Sequence, residues 1–150
     1  MARFIYSMQK ILNIKIRLED QAKLEFGMAQ ARLIAEQEKL QTLYERKAGY
    51  EDDYRRYSEG VLDLQKMQEA KEASLRMDDF IVDQKERIRR AEDELEVERR
   101  KLTAAIQERK IQEKLRERAF EQFLEEEKAA ERKEIDELTS YTYGQKIDIQ

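Results

Sequence analysis

Apolar residues recur over the first sixty positions at alternating intervals of three and four. In heptads counted from Ile5, the first core position, a, falls on Ile5, Leu12, Glu19, Phe26, Leu33, Leu40, Lys47, Tyr54 and Val61. The second, d, falls on Met8, Lys15, Ala22, Ala29, Glu36, Leu43, Tyr50, Tyr57 and Leu64. Of these 18 places 14 are apolar, where a chain 40% hydrophobic would give roughly 7 by chance. A frame kept this long marks a coiled-coil helix whose a and d side chains meet a partner helix.

A second register follows. Ile81, Ile88, Leu95 and Leu102 recur every seven residues, with Ala91 and Ala105 at intervening d positions. It is one residue out of frame with the first, which fails at Gln68 and Lys71. The pattern therefore predicts helix one over about 4–62, a turn over about 63–75, helix two over about 76–140 and a frayed tail over 141–150. Gly60 suits a helix C-terminus with Val61 as its hydrophobic neighbour, and Ser74 or Asp78 suits the next N-cap. Arms of nearly equal length around a central break predict an all-α fold, a long antiparallel two-helix hairpin forming a single coiled-coil domain. The expected seam includes Phe26, Leu33, Leu40, Leu43, Tyr57, Ile81, Ile88, Leu95 and Leu102. The alternative is one continuous helix of roughly 220 Å that dimerises in parallel.

Composition removes the competing class. The 150 residues are 43% charged, which admits disorder, but the strict period argues against it. There is no proline and there are only four glycines, too few turn residues for a chain that folds back several times. Charge favours the hairpin: residues 1–18 carry Arg3, Lys10, Lys15 and Arg17 without an acid, whereas residues 119–138 carry eight acids against three bases. Folding back sets the two side by side. Exposed pairs contribute at most about 1 kcal/mol each, so they select orientation more than they stabilise.

Few chemistries survive the inventory. With no histidine and no cysteine, the usual general base, thiol nucleophile and soft metal ligands are missing, so neither enzyme, metal site nor cofactor is expected. No glycine-rich loop exists to cradle a phosphate. The acids Glu125–Glu127 point about 100° apart on a helix and read as a solvated face. The bases Lys85, Arg87, Arg89 and Arg90 are interleaved with acids in a chain of net charge −4, so no nucleic-acid partner is expected. No apolar run is long enough to insert in a membrane, and the first residues lack the features of a signal peptide. Zero cysteine fits a reducing compartment.

Two stretches exceed what a simple seam needs. In "FIYSMQKILNIKIRL", Ile5, Met8, Ile11, Leu12, Ile14, Ile16 and Leu18 spread beyond the a/d stripe. Extra packing on helix two, insertion into the bore of a larger protein, or a membrane-surface helix would each use them. In "YEDDYRRY", Tyr50, Tyr54 and Tyr57 occupy seam positions. A two-stranded coil never wraps such side chains completely, so these can also meet a partner. Past Leu102 the apolar pattern also broadens, through Ile106, Ile111, Leu115, Ala119, Phe120, Phe123 and Leu124. Either the seam stutters there or a further surface is apolar.

The opening "FIYSMQKILNIKIRLEDQAKLEFGMAQARLIAEQEKL", the "GYEDDYRRY" stretch, "MDDFIVDQKERI" and the closing "ERKEIDELTSY" resemble the FliJ family of the bacterial flagellar type III export apparatus over almost the whole chain. The resemblance implies a non-enzymatic antiparallel coiled coil similar to the stalk subunit of rotary ATPases. It implies a cytoplasmic location, peripheral to the cytoplasmic face of the inner membrane, and three kinds of partner: the flagellar export ATPase ring, the export-gate membrane protein and export chaperones. Ile5, Met8, Ile11, Leu12 and Ile14 would belong to the end inserted in the ring, and Tyr50, Tyr54 and Phe80 to the surface meeting the gate. Alone, such a stalk is expected to be monomeric. The competing reading is a structural or adaptor coiled coil that associates only with itself.

Overall fold

A computed structural model describes residues 2–149, with side chains to residue 146. These residues form two helices, α1 (Gln9–Ser58) and α2 (Leu64–Ile149), packed against each other as a helical hairpin, the fold class the heptads predict.

The boundaries differ from the expected ones. Helix one stops at Ser58 and not near 62, and the turn occupies 59–63 and not 63–75. Helix two begins twelve residues earlier than the expected 76 and continues through the expected frayed tail to Ile149. Gln150, the last residue of that tail, and Met1 lie outside the described residues. The arms are accordingly unequal, 50 and 86 residues.

Local chemistry explains the turn. Gly60 has φ 70°, the left-handed conformation that glycine adopts without a Cβ penalty and that closes many helices. The Ser58 hydroxyl donates to the Arg55 carbonyl at 2.7 Å, satisfying one of the last acceptors of α1. The Asp63 carboxylate accepts from the Lys66 backbone N–H at 3.2 Å, so Asp63 is the N-cap, in place of Ser74 or Asp78. Val61 is 95% exposed and makes no hydrophobic cap contact.

The chain divides into two compact units, residues 20–104 and residues 1–19 with 105–150. The first contains the turn. Its α2 positions Met67, Ala70, Ser74, Met77, Ile81 and Gln84 form an unbroken heptad stripe of buried and half-buried side chains. The frame of helix two therefore starts at Met67, inside the stretch expected to be a turn. Ala22, Ala29, Ala70 and Ala91 are buried, so the backbones can approach closely. Cross-helix pairs fix the antiparallel order: Arg32 to Glu94 at 2.8 Å and Lys47 to Asp78 at 2.6 Å.

In the second unit Leu12 is buried, and the seam also holds charge. The guanidinium of Arg109 donates to Glu19, only 5% exposed, and to Glu113 at 2.8 Å. Lys15 reaches Glu108 at 2.8 Å and Arg116 donates to Gln9 at 3.0 Å. Ahead of the helix, Phe4 packs edge-on to Phe120 with centroids 5.1 Å apart, and Phe123 lies 5.4 Å away. From residue 128 to residue 146 every α2 side chain is exposed.

Candidate partner-docking surfaces

In an antiparallel pair the g positions of the two helices share one side of the seam and the e positions the other. That rule assigns the expected docking residues to faces. Tyr54, at an a position, lines a groove of about 390 Å³ with Glu51, Arg55 and Lys71, on the e side. Phe80, at a g position and 52% exposed, belongs to a groove of about 670 Å³ lined also by Lys39, Leu43, Arg46 and Arg87, on the g side. Tyr50 is half-buried at d; it lines the Tyr54 groove and also a g-side groove shared with Tyr57. Tyr50 and Tyr54 are thus brought together, whereas Tyr54 and Phe80 open on opposite faces.

Beside Phe80 the seam is polar. The Gln84 amide, 6% exposed, donates to the Glu36 backbone carbonyl at 2.9 Å and to its carboxylate. That hydrogen bond from the Gln84 amide holds the Glu36 carboxyl below the usual carboxylate range, with Lys39 and Arg87 adding to the shift and burial opposing it. The Asp78 carboxylate likewise raises the Lys47 ammonium above the ordinary lysine value. These groups orient the helices and present no reactive centre. Among the described residues no group of three or more His, Cys, Asp or Glu side chains could hold a metal ion.

The residues expected to insert in a ring divide by burial. Ile5 is 80% exposed, and Met8, Ile11 and Ile14 are also exposed. Leu12, 4% exposed, faces the other helix and is not available to a partner, because it occupies the a position that α2 covers. Further residues of the over-apolar opening segment, and residues of α2, belong to this surface. Ile16 and Leu18 are exposed on α1, as are Ile111, Leu115 and Phe120 on α2. Ile11 and Leu18 occupy g and Ile14 c; Leu115 occupies g and Ile111 c. These five share one side of their unit. The signal was in the broadened pattern past Leu102, which carried no position on the helix until the seam was known. The seam residues Phe26, Leu33, Leu40, Leu43, Tyr57, Ile88, Leu95 and Leu102 are half-buried, and Ile81 is buried.

No described helix is long and apolar enough to cross a membrane. No curated protein and no solved structure matches the chain. A family model described as Flagellar FliJ protein matches residues 4–147. With the hairpin and its heptads already established, that match over nearly the whole length shows that the chain belongs to the FliJ family, a component of flagellar protein export.

Proposed function

We propose that the chain is a non-enzymatic stalk of the flagellar export apparatus, acting at the cytoplasmic face of the inner membrane. Its paired end, residues 1–19 with 105–124, docks within the export ATPase ring. The observation that carries this reading is the apolar surface of Ile11, Ile14, Leu18, Ile111 and Leu115, exposed although a two-helix seam lies beside it. Uncovered apolar side chains on one side of an otherwise charged helix pair suit a protein bore better than water. The aromatic surface serves the export gate in two parts, Tyr50 with Tyr54 on one face and Phe80 on the other. Export chaperones are carried on the same coiled coil.

The test is hydrolysis by the purified export ATPase with and without the full chain. Wild type should stimulate it, and a variant with Ile11, Ile14 and Leu18 all changed to Ser should lose most of that stimulation while keeping its helical signal. Equal stimulation by both would remove the ring-docking assignment. For the gate, Phe80→Ala and Tyr54→Ala should weaken binding separately and additively, since the two sites share no contact.

A further inference from the structure

The unit formed by residues 1–19 and 105–150 carries two unsatisfied features of opposite charge. One is the apolar side made by Ile11, Ile14, Leu18, Ile111 and Leu115. Lys10, Arg17, Lys114 and Arg118 flank it, all exposed and none in an ion pair among the described residues. Residues 1–18 and 105–120 together hold nine bases and three acids. The other is the α2 overhang, in which every side chain over 128–146 is exposed. Between 125 and 138 it carries seven acids against three bases, and Ile135, Leu138 and Tyr141 lie exposed at helical spacing. A helix solvated all round has no tertiary packing to hold it, and packing is where most helical stability comes from.

We propose that the overhang of one copy lies on the basic-rimmed apolar side of a second copy, and reciprocally, in a twofold end-to-end dimer. The lengths agree: residues 105–124 span roughly 30 Å and residues 125–146 roughly 33 Å at about 1.5 Å per residue. The register agrees as well. Within one chain Ile14 lies level with Ile111 and Ile11 with Leu115, because Lys15 pairs with Glu108 and Gln9 with Arg116. When two such ends abut at residue 124 and run in opposite directions, residue 138 of one helix reaches the level of residue 110 of the other. Leu138 then meets Ile14 and Ile111 of the second copy, Ile135 meets Ile11 and Leu115, and Tyr141 meets Leu18. Glu131 and Glu134 come level with Lys114 and Arg118. Twofold symmetry makes both contacts at once and closes the assembly. Such a dimer retains the hairpin, unlike the parallel dimer of continuous helices. It departs from the monomer expected for a stalk alone, and it would cover the apolar side until a ring displaces the second copy.

The chain has no cysteine, so a full-length Ile14→Cys/Leu138→Cys variant gives an unambiguous reading. Within one molecule these positions are separated by about 28 residues of helix, roughly 40 Å, and cannot bridge. Mild oxidation should give a covalent dimer, and a Val82→Cys/Leu138→Cys control should give little. Sedimentation of the wild type at micromolar concentration should show twice the 18.1 kDa chain mass. Association should weaken at least tenfold in Lys114→Glu/Arg118→Glu, in Ile135→Ser/Leu138→Ser, and as salt rises from about 0.1 M to about 1 M. A chain that stays at monomer mass assigns the face to a different partner and overturns the proposal. So does a dimer that both double variants leave intact, or one in which the control pair cross-links as well. Loss of ring stimulation in the Ser variants is read separately, with the ATPase in excess, so either proposal can fail alone.

Discussion

The two units use one heptad scaffold in opposite ways. In residues 20–104 the seam is closed mainly with small and apolar side chains, the Gln84–Glu36 pair apart: Ala29 is 1% exposed, and Met77, Ile81 and Ala91 are buried. In residues 1–19 with 105–150 the seam holds Glu19, Arg109 and Lys15 beside Leu12, while isoleucines point outward. Apolar content therefore does not mark where the hairpin is held together. The unit richer in isoleucine spends few of them on its own seam. Ile14 and Ile111, 52% and 58% exposed, keep about half of their surface in water after folding, so they add less to folding than a seam residue and leave that surface available for a partner.

The sharpest way to break that comparison is to truncate one isoleucine in each unit. Ile81→Ala should destabilise the hairpin by about 2–3 kcal/mol, the lower part of the range for a buried isoleucine, because a two-helix seam encloses it incompletely. Ile14→Ala should stay within about 0.5 kcal/mol of wild type. Thermal melts of the full chain monitored by helical signal measure both at a dilution where copies are separate. Similar losses would show that the outward isoleucines hold the hairpin after all.

A second pair of variants addresses the charged seam. Glu19 alone changed to Leu leaves the Arg109 guanidinium, now held above its ordinary value chiefly by Glu19 and then by Glu113, with a poorer partner in a half-buried site. Its melting temperature should fall. Glu19→Leu with Arg109→Leu should melt at or above the wild-type temperature, since well-packed apolar pairs commonly match or exceed a buried ion pair. The same double variant should hold its register less sharply near that end: spin labels across residues 12–19 and 109–116 should show a broadened distance distribution, because the polar pair that penalises a slipped alignment there is gone. A double variant that melts lower and keeps one sharp distance would mean the pair stabilises outright.

How much of this was written in the sequence depends on the strength of each position. The frame of α1 was legible because Leu12, Phe26, Leu33, Leu40 and Leu43 are large and regularly spaced. The start of α2 was not. Its seam there is Met67, Ala70 and Ser74, whose small side chains give almost no hydrophobic signal, while Val61, Leu62 and Leu64 give a strong signal and lie exposed. Reading Gln68 and Lys71 as failures of the first frame hid the start of the second. The turn was therefore placed too late, and the lack of an apolar period past residue 140 placed the helix end too early. The opposite faces of Tyr54 and Phe80 could have been read from their a and g positions once both frames were fixed.

The smallest effect is a pH dependence confined to the closed unit. Glu36 is held below the usual carboxylate range chiefly by the Gln84 amide. A carboxyl whose folded value lies below its unfolded value contributes stability above the unfolded value, about 4.3, and loses that contribution as pH falls through the folded one. Glu36→Gln should therefore be less stable than wild type by a constant margin from about pH 5.5 through neutrality. The margin should shrink below about pH 4 and vanish in stronger acid. Lys47, raised by Asp78, works in the other direction: its contribution is complete below the ordinary lysine value and is lost only as pH rises through the higher folded one. Neither group titrates between about pH 5.5 and pH 9, so denaturant midpoints of the two proteins should run parallel across that window. A margin that instead changes near neutrality would show that burial raises Glu36 more than Gln84 lowers it, and no margin at any pH would show that the polar seam beside Phe80 is open to water.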